Sequence, residues 1–276
     1  AGRSGGEAAS AAGRCAVTFS ALSFGGGVNS TAMLLHLVDA GTPPDLVMFA
    51  DTGGEHPETY RHLHDMEAWC DERGIRFVVV SNGSEAKGWT LEENCLKRKE
   101  LPSLAYGFKG CSVKWKRQPM DRHLRDNEPG AAACWAAGGL VTRYIGIDAG
   151  EVRRAKLPPD SRYVYRYPLV EAGIDRDGCL AIIKRHGIEA PPKSSCFFCP
   201  AMRRKEILAL SDDLKRRAIA IEENALTHTV AGLGRNWRWK DLIEGKDLLP
   251  FDSWLPCDCT DEDPEEAEQQ PQDGAP

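Results

Sequence analysis

Several features are missing from this sequence, and each absence narrows its reading. No apolar run approaches the about 18 residues needed to cross a bilayer, so no membrane-spanning helix is expected and no membrane partner. The first residues, Ala1 to Arg14, are rich in Ala, Gly, Ser and Arg. They lack the apolar stretch of about 7–15 residues that marks a signal peptide. Residues 1–15 therefore read as a disordered lead or a remnant of expression, and the protein is expected to be cytoplasmic. No internal repeat is evident. Neither a Gly-Lys-Ser/Thr P-loop ending nor a Gly-x-Gly-x-x-Gly fingerprint occurs where phosphates would be held. Basic residues are absent from Cys257 to Pro276, which carries eight acidic ones. Setting those aside, the formal charge of -6 becomes a body of about +2. This Asp-, Glu-, Gln- and Pro-rich tail reads as disordered.

Other features are present in quantity. Hydrophobic residues make up 42% of 276 residues, enough for one sizeable α/β domain with a small addition. Ten cysteines in a chain expected in the cytoplasm point away from disulfides and towards metal or redox chemistry. The chain is organised around Ser23-Phe24-Gly25-Gly26-Gly27-Val28-Asn29-Ser30-Thr31. An apolar strand is predicted before it, Ala16 to Leu22, and an apolar-periodic helix after it, Thr31 to Val38. Glycines allow close backbone approach to a ligand, and free N–H groups with the helix dipole favour an anion. Ser30 and Thr31 add hydroxyl donors. The alternative is a tight β-α turn that binds nothing.

A second strand is predicted over Asp45 to Ala50, a helix from Pro57 to Arg73, and a third strand over Ile75 to Val80. This alternation predicts a Rossmann-like α/β fold, a parallel sheet with helices on both faces and a ligand at the carboxyl ends of its strands. Asp51-Thr52-Gly53 ends the second strand, so a carboxylate and a hydroxyl face the same crevice as the glycine loop; alternatively Asp51 caps a turn. Thr142 to Gly146 is a fourth strand candidate, Asp175 a helix N-cap, and a long basic helix is predicted from about Met202 to Leu226.

Taken in order, four segments resemble a known family. Ser23-Phe24-Gly25-Gly26-Gly27-Val28-Asn29-Ser30 resembles the PP-loop, Ser-x-Ser-Gly-Gly-x-Asp-Ser, of the adenine nucleotide alpha hydrolases. The likeness is greatest to their phosphoadenosine phosphosulfate (PAPS) reductase branch, whose phage, plasmid and CRISPR-associated members often carry three glycines here. Val28 replaces a common Lys and Asn29 a common Asp. Asp51-Thr52-Gly53 through Pro57-Glu58-Thr59-Tyr60 resembles that branch's Asp-Thr-Gly-x-x-x-Pro-Glu-Thr-Tyr. Gly110-Cys111 through Pro119-Met120 is similar to its Cys-Cys-x-x-Arg-Lys-x-x-Pro-Leu, with Gly110 for one cysteine. Gly146-Ile147-Asp148-Ala149-Gly150-Glu151 through Arg154 is similar to Gly-Ile-Arg-x-x-Glu-Ser-x-x-Arg, with Glu151 and Arg154 as matching positions.

The resemblance implies a PP-loop fold over residues 16–190, a cysteine-bearing helical region over 191–256, and the acidic tail over 257–276. It implies ATP and Mg2+ as ligands, with Ser30, Asn29 and Asp51 as catalytic candidates. Ser23, Phe24, Gly25, Gly26, Gly27, Thr31, Thr52, Gly53, Glu151, Arg153 and Arg154 complete the expected nucleotide site. Cys196-x-x-Cys199 is half of a metal knuckle, although a thioredoxin-like pair shares the spacing. The resemblance adds Cys111 as a third ligand and Cys95 as a fourth, for a 4Fe-4S cluster or, alternatively, zinc. Cys15, Cys70, Cys134 and Cys179 read as small core residues.

The expected activity is cleavage of ATP to AMP and pyrophosphate, adenylating an acceptor for sulfur transfer. A first alternative is APS or PAPS reduction to sulfite, disfavoured because Leu255-Pro256-Cys257-Asp258-Cys259 does not match that family's Glu-Cys-Gly-Leu-His. A second is a degenerate nucleotide-binding accessory protein of a mobile-element complex. For that reading, basic stretches at Lys114 to Arg125 and Arg203 to Arg217 are candidate contacts to a nucleic acid or ribonucleoprotein. A homodimer is compatible with either.

Overall fold

The computed structural model describes residues 17–82 and 89–246. The expected lead, the acidic tail, Cys15, Cys257 and Cys259 lie outside these residues. The chain divides into two compact units. One holds residues up to Asn94 together with Lys109–Phe197, and the other holds Cys95–Phe108 and the chain from Phe198 onward. The second unit thus takes in a segment that the expected limit at residue 190 leaves with the first.

The first unit is built on a five-stranded, wholly parallel sheet: β1 (Ser20–Phe24), β2 (Leu46–Asp51), β3 (Arg76–Ser81), β4 (Val141–Ile145) and β5 (Tyr163–Arg166), in the order β3-β2-β1-β4-β5. A parallel sheet covered on both faces needs near-continuous apolar strands, and β2 is buried at its first five positions, Leu46 to Ala50. Alternation sorts the side chains. Leu22, Phe24, Val47 and Phe49 join a core with α1 (Val28–Asp39) and α2 (Pro57–Asp71). Ala21, Leu46, Met48 and Ala50 join a core on the other face with Met120, Leu124 and Ala131. These last come from α4 (Gln118–Asp126) and α5 (Pro129–Ala136). Chain order has α3 (Leu91–Arg98) before them, and α6 (Pro168–Glu171) and α7 (Arg176–Arg185) after; α7 packs on α1.

Cys70, Cys134 and Cys179 sit within these cores, and burial pushes the thiols of Cys70 and Cys179 up to about 12. Asp175 caps α7 by accepting from the Gly178 N–H at 2.8 Å. Two departures from expectation have local causes. β5 is only four residues long and flanked by polar residues, so its period is too short to read. In addition, a turn of π-helix, Ser112–Arg117, precedes α4.

In the second unit the expected long helix is two: α8 (Arg204–Ala209) and α9 (Asp212–Asn224). Leu210 leaves helical geometry, and the Ser211 hydroxyl accepts from the Leu214 N–H at 3.4 Å, so the second helix starts on its own cap. The following loop and α10 (Trp239–Ile243) fold around Glu222. That buried carboxylate accepts backbone N–H groups from Leu233 (2.8 Å), Trp239 (2.9 Å) and Lys240 (3.0 Å). Among the described residues no helix is long and apolar enough to cross a membrane.

Candidate nucleotide site of the first unit

In this strand order the chain reverses direction beside β1, with β2 on one side and β4 on the other. A crevice therefore opens at the carboxyl ends of β1 and β4, where ligands bind in open α/β sheets. The glycine loop runs from β1 straight into α1. Gly26 has φ of +75°, and a Cβ there would stand 2.9 Å from Thr59 Cγ2; one on Gly27 would stand 2.7 Å from Ser194 Oγ. Gly26 holds a backbone conformation that favours glycine, and a side chain at Gly27 would have to displace the Ser194 hydroxyl. The first intrahelical bond runs from the Thr31 N–H to Gly27 O at 3.1 Å, so the N–H groups of Val28, Asn29 and Ser30 precede it. Gly27 caps α1 without a side chain, and no acidic residue stands in the first turn. The positive end of the helix is left for an external anion.

The hydroxyls beside the loop have other duties. Ser30 and Thr31 each donate to Gly27 O at 3.0 Å. Thr31 is fully buried, and with its proton committed it accepts from His62 Nε2 at 2.9 Å. His62 stacks on Phe24, and burial holds its imidazole below the ordinary range. Thr31 thereby ties α1 to α2. Ser23 Oγ accepts from Arg143 Nη2 at 2.9 Å. That guanidinium is 3% exposed, ion-paired with Asp121 and set 5.2 Å from the Tyr163 ring, and it places a buried positive charge behind the loop.

On the β4 side, Gly146 allows the chain to touch α1, because a Cβ there would lie 3.0 Å from both Ser30 N and Ser30 Cα. Beyond it, Asn29 Nδ2 donates to Asp148 Oδ2 (3.0 Å) and Glu151 Oε2 (3.2 Å), while Asn29 Oδ1 accepts from Arg176 Nη1 (3.0 Å). Glu151 is also ion-paired with Arg154, and Arg153 is exposed. On the β2 side, Asp51 Oδ1 accepts from the Gly53 N–H and from the Tyr60 hydroxyl, both at 2.7 Å. This is the turn-capping arrangement. Burial and Asp51 together raise the Tyr60 phenol, so it stays a donor. Thr52 Oγ1 donates to the buried Glu55 Oε1 at 3.2 Å, and the Lys116 ammonium reaches that same oxygen at 3.2 Å.

Sequence reasoning missed Glu55, His62, Lys116, Arg143, Gly146, Asp148 and Arg176. Glu55, Lys116, Gly146 and Asp148 lay within quoted motifs without being singled out; His62, Arg143 and Arg176 carry no local signature.

The four cysteines expected as metal ligands are divided between the two units. Cys111 and Cys196 belong to the first unit, Cys95 and Cys199 to the second. The Cys196 sulfur lies 3.2 Å from Thr52 Oγ1 and 3.9 Å from Glu55 Oε1, held by a hydroxyl and a carboxylate. Among the described residues no three His, Cys, Asp or Glu side chains are gathered as a metal ion would require. Thiol donors suit a soft metal, and no step below runs through one.

Residues 20–138 match the family model described as the phosphoadenosine phosphosulfate reductase domain. The match spans β1 to α5 and stops short of β4, so Gly146, Asp148 and Glu151 lie beyond it. No curated protein matches the chain. Among solved structures, the U34-tRNA thiolase NcsA from Methanococcus maripaludis, with its [4Fe-4S] cluster, is similar at 13% identity and a TM-score of 0.43. That likeness covers 83% of this chain and 71% of that one.

Proposed function

From the match of residues 20–138 to the model of the phosphoadenosine phosphosulfate reductase domain, we propose that the protein binds ATP by its phosphates on the glycine loop and cleaves it at the α-phosphate. An acceptor oxygen attacks the α-phosphorus, the bond to the bridging oxygen breaks, and pyrophosphate leaves. The products are pyrophosphate and either AMP, when the acceptor is water, or an adenylated acceptor.

One observation carries this reading: the start of α1 has neither a side-chain cap nor an acidic residue, and it follows a glycine pair whose first member has a positive φ. The N–H groups of Val28, Asn29 and Ser30 would hold the phosphate oxygens and stabilise charge as it moves onto the leaving pyrophosphate. Arg143, ion-paired with Asp121, donates to the Ser23 hydroxyl and fixes it near the end of β1. Magnesium would enter with the nucleotide and neutralise the leaving group. The family's description names a sulfur-bearing nucleotide, which supports an acceptor whose adenylated oxygen is later exchanged for sulfur.

The test is product analysis on anaerobically prepared full-length chain with magnesium, offering ATP, APS and PAPS in turn. AMP and pyrophosphate from ATP are expected, and Gly26→Val should abolish them while circular dichroism stays unchanged. Sulfite from APS or PAPS would assign reduction instead. ATP binding without any product would leave a nucleotide-binding role and remove the hydrolase reading.

A further inference from the structure

Two departures from the quoted motifs meet in this structure. Asn29 stands where the loop motif has Asp, and Asp148 stands in Gly146-Ile147-Asp148 where the β4 motif has Gly-Ile-Arg. They are 119 positions apart, yet Asn29 Nδ2 donates to Asp148 Oδ2 at 3.0 Å. The same amide donates to Glu151 at 3.2 Å and accepts from Arg176 at 3.0 Å. A carboxamide can donate two protons and accept at its oxygen, which all three contacts require. An aspartate of the same size has no proton to give, and it would stand as a third negative charge beside two others.

The surroundings leave the amide little freedom. Asp148 is 4% exposed, and its second oxygen accepts from the Glu151 N–H at 3.1 Å. Its neighbour Ala149 donates to Ile174 O at 2.8 Å, and Gly146 is pressed against Ser30. The turn after β4 is thereby fixed on both sides of the contact.

We infer that Asn29 and Asp148 are one coupled pair, in which the acidic group beside the phosphate loop stands on the turn after β4 and the loop supplies the amide that binds it. Asp148 is a positioning residue. It holds the Asn29 amide, and through that amide Arg176, at the start of α1. Restoring the motif's aspartate at position 29 therefore damages the site. Part of the test rests on the nucleotide reading above, and part does not.

The experiment is a double-mutant cycle on the full chain with Asn29→Asp, Asp148→Asn and the two combined. Two readouts are taken: the thermal midpoint without ligand, and ATP affinity by calorimetry with magnesium. Asn29→Asp is expected to lower the midpoint and to weaken ATP binding about tenfold, a coupling ordinary for residues in contact. The combined variant, which exchanges amide and carboxylate across the same contact but leaves the one to Glu151 unmade, is expected to recover part of both losses. Parent-like or tighter ATP binding by Asn29→Asp would overturn the inference, as would a combined variant showing the sum of the single losses. Recovery of the midpoint with ATP affinity unmoved in every variant would overturn the positioning role. A parent that binds no ATP would sink the nucleotide reading, and the midpoint cycle would still decide the pair.

Discussion

His62 shows how a residue outside the crevice governs it. Its ring is buried against Phe24 and gives its Nε2 proton to Thr31, which is itself bonded to the loop carbonyl of Gly27. Burial lowers its pKa below the ordinary 6.5, with Asp65 partly opposing. The unfolded chain therefore binds more protons than the folded one just below pH 6.5, and stability falls as the pH drops through that range. Replacing His62 with Gln removes the titration, so the decline in thermal midpoint between pH 7 and pH 5 should be shallower in His62→Gln than in the parent. An identical slope would show that the decline comes from other groups. The site's residues were unequally legible for a related reason. Gly25 to Thr31 are contiguous, so their chemistry is visible in one line of sequence. Asp148 and Arg176 reach Asn29 from 119 and 147 positions away, and only the fold makes them neighbours.

At the scale of elements, the π-helical turn at Ser112–Arg117 is informative. Seven residues separate Cys111 from Pro119, one more than in the quoted cysteine motif. A π-turn absorbs one extra residue within a helix and often marks a functional position. Here it turns Trp115 into the core and sends Lys116 to Glu55, whose side chain is fully buried. Among the described residues the other Glu55 oxygen has no hydrogen-bond partner, so the carboxylate depends mainly on Lys116 and Thr52. Lys116→Met is expected to cost about 2 kcal/mol in urea unfolding. Adding Glu55→Gln should return most of that loss, because the uncompensated charge goes with it. A loss that persists in the double variant would mean Lys116 acts through packing of its stem. Apolar periodicity gave the first three strands and α2 to within a few residues. It could not give the break between α8 and α9, where one serine cap outweighs continuous helix-forming sequence.

At the scale of the molecule, the two units are organised by different means. The first is a sheet between two apolar layers, and that class of fold followed from strand and helix alternation alone. The second, over its described residues, gathers a loop around one carboxylate, a construction with no periodic signature. Glu222→Ala should therefore release the N–H groups of Leu233, Trp239 and Lys240 together, at a cost of about 3 kcal/mol. Hydrogen exchange would read this as a joint loss of protection at those three amides. Loss at only one would mean the loop is held by its side chains.

The sheet order also bears on how the chain folds. β1 pairs early with β2, which follows it closely, but its other partner, β4, is synthesised more than a hundred residues later. Closing so long a loop is slow, because its entropy is lost before any contact repays it. The β4 wall, with Gly146 and Asp148, therefore joins the glycine loop late. A nascent chain can form half a sheet well before the crevice beside the glycine loop has its second wall.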